Sequence, residues 1–159
     1  MRVFIPAVPA ELSGDVPPPR TAIAPIIPAD ATPEQVELLE DDAVTEAWLV
    51  SLELLVGDGP ASSQSADLRR VVLAADVDPA GTAPVDGSPR PVVEVDPVAP
   101  LSWDDVKAIL ADAPGDDTAS EAIVALAAAT DDAAVDDALS ALADDSLQWF
   151  DISERAQLS

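Results

Sequence analysis

The segment RRVVLAADV, residues 69–77, places the strongest constraint on the fold, because it is apolar at every position from Val71 to Ala75. Successive side chains of a strand point to opposite faces of a sheet, so an unbroken apolar run requires cover on both faces. The run therefore predicts a central strand with protein packed on each side of it. A strand of this kind implies a folded domain around it rather than an extended, disordered chain.

The composition is sufficient for one hydrophobic core. The chain has 159 residues, of which 48% are hydrophobic but only 3% aromatic, so small aliphatic side chains must fill most of the interior. A chain of this length buries roughly 70% of its unfolded surface. We therefore predict a single domain over residues 1–155, with flexible loops near 8–20, 57–67 and 79–90 and a frayed tail at 156–159.

Short apolar runs bounded by Pro, Gly and Asp predict the other strands. They are RVFIP near the start of the sequence, residues 92–96, residues 106–112 and the segment SLQWFDISE at 146–154. Residues 21–28 form a further candidate, but Pro25 lacks a backbone donor and would place that strand at an edge. The run at 106–112 also fits helical spacing; we predict a strand there, preceded by one helical turn.

Capping residues predict three helices. Thr32, with Pro at the next position and Gln three positions on, begins a long helix that Gly57 ends. Trp48 lies on its apolar stripe and is expected in the core. Asp117 or Thr118 is predicted to cap a second helix, and a third is predicted to start at Asp131 or Asp132.

Together these elements predict an α+β domain. We expect a mixed sheet of five or six strands with helices mainly on one face. A variant of the ferredoxin-like fold is the most specific form of this prediction.

The charge balance limits the partners. There are 31 acidic and 7 basic residues, which gives a formal net charge of -24. Seven cations are too few to form a basic patch for a phosphate backbone, so direct nucleic-acid binding is disfavoured. The negative field of the protein also repels an anionic membrane. A basic protein is the partner that this charge favours. Alternatively, the acidity reflects solubility, salt adaptation or the codon usage of a GC-rich genome.

Missing residue types limit the chemistry. With no Cys and no His, thiolate nucleophiles, imidazole acid–base catalysis and sulfur-ligated metals are excluded. The sequence therefore favours a protein that is not an enzyme, and we expect no cofactor. The first residues lack the apolar core of a signal peptide, which predicts a cytoplasmic location.

A carboxylate site is the remaining catalytic hypothesis. Asp76 and Asp78 follow the central strand, Asp96 ends the strand at 92–96, and Asp112 ends the run at 106–112. If these strand ends met at one edge of a parallel sheet, their carboxylates would bind a divalent cation such as Mg²⁺. The Asp-Asp pairs elsewhere in the sequence are instead expected to cap helices and face solvent.

Trp149 and Phe150 are the candidate partner-binding residues. They are adjacent in a chain with only three Trp, two Phe and no Tyr. On a strand they would point to opposite faces, so we predict that each fills a different layer of the core. The alternative is an exposed apolar patch rimmed by acids.

Four segments carry a family resemblance: MRVFIPA, RRVVLAADV, WDDVKAILAD and LQWFDISE. In this order they resemble a group of small, uncharacterised actinobacterial proteins described as a domain of unknown function. Members of that group tend to have Tyr beside the Trp of the last segment and often His in the third, where this chain has Phe150 and Leu110. The resemblance implies shared fold and lineage, and it implies no assigned activity.

Three functional hypotheses follow. The first is a non-enzymatic cytoplasmic protein that binds a basic protein through its acidic surface. The second is a Mg²⁺-dependent enzyme built on Asp76, Asp78 and Asp112. The third is a mimic of nucleic-acid charge that competes with DNA for a basic protein.

Overall fold

The computed structural model describes residues 1–57 and 68–159, and in them the chain forms an α+β fold. The strands are β1 (Arg2–Ala7), β2 (Ala22–Pro25), β3 (Val71–Asp76), β4 (Pro79–Pro84), β5 (Val92–Pro97), β6 (Val106–Ala111) and β7 (Gln148–Phe150). The helices are α1 (Pro33–Val56), α2 (Asp117–Ala128), α3 (Asp132–Asp144) and α4 (Arg155–Leu158), with 3₁₀ turns at Pro9–Ser13 and Ile152–Glu154.

The strands of the described residues form one seven-stranded sheet in the order β4-β5-β2-β1-β3-β6-β7. Every neighbouring pair is antiparallel. The predicted α+β class is confirmed, but a mixed sheet of five or six strands is wrong. β3 lies between β1 and β6 and its first five residues are buried, which confirms the central strand.

Two strands differ from the prediction. Residues 79–84, expected in a flexible loop, form β4, whose six residues are all exposed. This strand has no apolar face to reveal it in the sequence, and pairing with β5 holds it at the edge. β2, expected at an edge, lies between β5 and β1. Pro25 is tolerated because it is the last residue of β2, where a missing donor does not interrupt the ladder.

The sheet has a core on each face. On one face α1, α2 and α3 cover a cluster that includes Phe4, Trp48 and Leu110. On the other face the first 3₁₀ turn, the segment before β6 and α4 cover a cluster that includes Ile5 and Ile109. Trp48 is 7% exposed, which confirms its predicted place in the core.

The helix starts follow the capping residues closely. The Thr32 hydroxyl accepts from the amide of Gln35, whose side chain accepts from the amide of Thr32, as the sequence predicts. The third helix begins at Asp132 with Asp131 as its N-cap. The second is capped by Asp116, one residue before the predicted choice, because its carboxylate accepts from two first-turn amides.

Ser51 joins α1 to the sheet. It is fully buried in the middle of the helix. Its hydroxyl donates to the carbonyl of Ala7 at 2.7 Å and accepts from the amide of Val71 at 3.2 Å. Both groups lie beside strand ends, so this hydroxyl satisfies backbone atoms that would otherwise be buried without a partner.

The segments expected to be flexible have varied outcomes. Within residues 8–20 the chain forms the 3₁₀ turn Pro9–Ser13. Residues 156–159, expected to fray, include most of α4, where Leu158 is 1% exposed. Of the predicted loop at 57–67, residues 58–67 lie outside the described residues.

Two further predictions concern topology and membranes. The ferredoxin-like fold has the order β-α-β-β-α-β, whereas this chain has β-β-α-β-β-β-β-α-α-β before α4, so the structure does not confirm that variant. Across residues 1–57 and 68–159, no helix combines the length and apolar character needed to span a membrane.

Candidate functional site

A buried ion pair lies where β3 begins and β6 ends. The side chains of Arg70 and Asp112 are 1% and 0% exposed, and Arg70 Nη2 lies 2.7 Å from Asp112 Oδ1. The backbone amide of Arg70 donates to Asp112 Oδ2 at 2.7 Å, and the side-chain Nε of Arg70 donates to both oxygens of the same carboxylate. Full removal of two charges from water is tolerated only with such multiple bonding.

The Arg70 guanidinium also fixes the end of α3. Its Nη1 donates to the carbonyl of Leu142 and its Nη2 to the carbonyl of Asp145, both at 2.6 Å. These carbonyls lie at the C-terminal end of a helix, where a cation is favoured by the helix dipole. The guanidinium carbon lies 4.9 Å from the centre of the Trp48 ring. Arg70 therefore connects two strands to α1 and α3.

Three carboxylates meet beside this arginine. Within the described residues, Asp112, Asp116 and Asp145 each offer an oxygen, and these oxygens lie within 4.8 Å of one another. Oxygens at this spacing suit a hard cation such as Mg²⁺. However, Arg70 already engages both oxygens of Asp112, so a metal ion would compete with a buried guanidinium. The geometry is explained by the ion pair and the Asp116 cap alone.

The surroundings of Asp145 shift its pKa. Burial raises the pKa of Asp145 above the ordinary value of 3.8, and a hydrogen bond shared with Asp116 and the charges of Asp116 and Asp112 raise it further, while Arg70 opposes the change. The crowding of carboxyl groups between the start of α2 and the end of α3 therefore favours the protonated form of Asp145.

We expect Asp145→Asn to stabilise the protein at neutral pH. A carboxyl group with a raised pKa binds more protons when folded, so stability falls as pH rises from 3.8 to the raised pKa and stays lower above it. Asn cannot ionise and should remove this loss. Urea unfolding across pH measures the effect, with Asp144→Asn at the exposed neighbouring position as control. Equal gains for both variants, or parallel pH profiles of parent and Asp145→Asn, would contradict it.

The predicted metal residues do not converge. Asp76 ends β3 and pairs with Arg2 at 2.7 Å, whereas Asp112 bonds to Arg70 at the opposite end of that strand. Six residues of strand separate them by about 20 Å. Asp78 lies beyond Asp76, where its carbonyl accepts from the amide of Val98. The predicted metal residues lie apart because β3 and β6 are antiparallel, so the C-terminal end of one strand lies beside the N-terminal end of the other.

Asp96, the other acid of the predicted metal site, also lies away from Asp112. Asp96 lies on β5, opposite Gly81 of β4. It is exposed, so it faces solvent on a strand pair at the edge of the sheet.

Trp149 and Phe150 lie on β7 and point to opposite faces. Phe150 pairs with Ile109 and packs, partly buried, against the core on that face. Trp149 pairs with Leu110 on the helix-covered face but is 60% exposed. The prediction that both residues fill the core is therefore wrong for Trp149, because β7 is the outermost strand and α1 packs over β1, β2 and β3.

Trp149 lies at the rim of a cleft of ≈ 410 Å³. The cleft separates α1 from the end of α3 and from β7. Apolar and charged residues share its lining: Asp41, Val44, Thr45, Trp48, Arg70, Arg90, Leu110, Leu142, Ala143, Asp145, Ser146, Leu147 and Trp149.

Every cation of the chain has a contact within the fold. Two lie in the buried interior: Arg70, and Arg69, which donates to the carbonyl of Leu158 at 2.6 Å. The others lie nearer the surface and bind acids, carbonyls or a ring: Arg2 with Asp76, Arg20 with Glu11, Arg90 with Asp42 and Glu46, Lys107 with the Asp104 carbonyl, and Arg155 with Trp103. The 7 cations therefore engage the protein itself, and the exposed acids of the described residues set the charge of the exterior.

Sequence reasoning identified Asp112 but missed its partners. Arg70 was visible as a charge directly before an apolar strand, a position that becomes buried when the strand is central. Asp116 and Asp145 gave no comparable signal, because one is an ordinary N-cap and the other follows a helix.

Comparison with known proteins gives one match. Searches of curated proteins and of solved structures found nothing similar. The actinobacterial origin suggested by the four sequence segments stays a prediction. A family of unknown function, DUF6912, matches residues 1–158. This match covers nearly all of the sequence, and the chain therefore belongs to the DUF6912 family.

Proposed function

We propose that this chain is a non-enzymatic cytoplasmic protein that binds a basic protein partner. The observation that carries the proposal is that each of the seven basic side chains contacts acids, carbonyls or a ring of the protein itself. Arg70 and Arg90, the two arginines that line the cleft, are bound by Asp112 and by Asp42 with Glu46. A partner therefore meets a surface whose free charges are almost all negative.

The chemistry of the described residues supports binding over catalysis. The sequence contains no Cys or His. In the cluster of Asp112, Asp116 and Asp145, Asp112 is the counter-ion of the buried Arg70. A carboxylate held in this way is not free to act as a general base or to accept a metal ion. Binding needs only the acidic surface and an apolar anchor, and Trp149 supplies such an anchor.

Affinity capture at graded ionic strength tests this function. The immobilised protein should retain basic proteins from an extract at low ionic strength and release them as salt rises, because exposed charges are screened. Immobilised polyglutamate controls for charge alone, so only proteins retained by the chain and not by polyglutamate count. Recovery of no such protein, or of proteins held equally well in high salt, would overturn the proposal.

Charge mimicry of a nucleic acid is a second form of the same proposal. Acidic pairs recur along the α2–α3 hairpin at 116–117, 131–132, 136–137 and 144–145. A mimic would share its binding site on the basic protein with DNA, so duplex DNA should displace the retained protein from the chain. If both ligands bind that protein at the same time, the partner uses a separate surface.

A further inference from the structure

We infer that β7 is the docking site, and that it accepts an extended cationic segment of the partner as an added strand with an Arg or Lys side chain over Trp149. This inference rests on the proposed function and assigns its site, its partner chemistry and its mode of binding. Addition of a strand to a sheet edge is a general mode of peptide recognition, in which backbone bonds give affinity and alternate side chains give specificity.

The two edges of the sheet in the described chain differ in their capacity to accept a strand. β4 forms one edge, and Pro79 and Pro84 at its ends have no backbone N–H to donate. Proline at an edge is a common way to prevent pairing. β7 forms the other edge, contains no proline and pairs with β6 on one side. Among the described residues, the outward side of Gln148–Phe150 has no partner strand.

The side chain of Trp149 gives this edge an apolar anchor. It is 60% exposed, and its cross-strand partner Leu110 lies in the floor of the adjacent cleft. Trp48 and Leu147 also line the cleft. Large apolar side chains at an open edge are normally avoided because they promote pairing with another chain. Here the anchor lies where an added strand would place its own side chains.

The charges beside Trp149 favour a cation. Asp41, which is exposed, and Asp145, which is half-buried, both line the cleft. The cations in the same lining, Arg70 and Arg90, are each paired with acids of the protein. An arginine or lysine of the added strand would therefore find an indole face together with the carboxylate of Asp41, and both attract a cation. This complementarity selects a basic segment over a second copy of this acidic chain.

Binding of synthetic hexapeptides tests the inference. The first probe alternates Arg with Val and extends readily as a strand; the second alternates Arg with Pro, which keeps the charge but removes backbone donors. We expect the Arg–Val probe to bind at least tenfold more tightly at low ionic strength, since only it pairs with β7. Amide hydrogen exchange at Gln148–Phe150 should slow when it binds.

Variants locate the site. Trp149→Ala should weaken Arg–Val binding about tenfold, as expected for a Trp anchor. Val124→Ala, which shortens an exposed side chain on α2, should leave binding unchanged. Equal binding of both probes with no effect of Trp149→Ala would overturn the docking site and leave the general proposal standing. Failure of both probes at low ionic strength would overturn both.

Discussion

Asp112→Ala is expected to lower the free energy of unfolding by about 3–5 kcal/mol, the usual cost of leaving a buried charge without its partner. The Arg70 side chain is only 1% exposed, so water cannot replace its counter-ion fully. It would retain the carbonyls of Leu142 and Asp145 but lose its counter-ion. Urea denaturation with matched m-values measures the change.

A surface ion pair provides the control. Asp76 and Arg2 are 46% and 34% exposed at their side chains, so Asp76→Ala should cost less than about 1 kcal/mol. The double variant Arg70→Met with Asp112→Leu should recover much of the lost stability, because well-packed apolar side chains can replace a buried pair. A cost below about 1 kcal/mol for Asp112→Ala would show that the pair does not hold the strands and α3 together.

Leu158→Ala is the second large effect, with an expected loss of about 2–4 kcal/mol. Leu158 is 1% exposed and belongs to the core on the sheet face opposite the long helices. Its carbonyl also accepts from Arg69 at 2.6 Å. Truncation of its side chain leaves a cavity that the sheet cannot fill by a small shift.

Leu38→Ala is the matched control, because Leu38 is 66% exposed on α1 and its side chain contributes little to burial. Thermal unfolding of both variants separates the two cases. Equal midpoints for Leu158→Ala and the parent would mean that residues 156–159 fray, as the sequence alone suggests.

The sequence predicts the elements that have strong local signals. The apolar run of β3 and the cap at Thr32 are confirmed by the burial of β3 and by the Thr32–Gln35 bonds. The strand at Val106–Ala111 is confirmed despite its helical spacing, because pairing with β3 satisfies its backbone. The first two features follow from local patterns alone, whereas the strand at Val106–Ala111 also depends on its partner strand.

Features that depend on contacts between elements could not be predicted from the sequence. β4 is exposed along its whole length and exists because β5 offers a partner. Trp149 is a residue type typical of a core, but its strand lies at an edge of the sheet and its side chain is 60% exposed. The strand order decides both outcomes, and the order is not encoded in any one segment.

The candidate site shows the same limit. The hypothesis placed Asp76 and Asp112 together by assuming that their strands run in the same direction. The strands are antiparallel, which brings Asp112 to Arg70 and leaves Asp76 to Arg2. A charge next to an apolar strand was the one sign of a buried ion pair.

If the exterior of this protein, with its own cations engaged internally, binds a cationic segment at β7, a short basic peptide should bind where an acidic one does not. The affinity of the Arg–Val hexapeptide, compared with that of an alternating Glu–Val hexapeptide at low and at physiological ionic strength, tests this most directly. We expect the basic peptide alone to bind, and to bind more weakly as salt rises. Equal affinity for the two peptides, or binding of the basic one that is insensitive to salt, would contradict it.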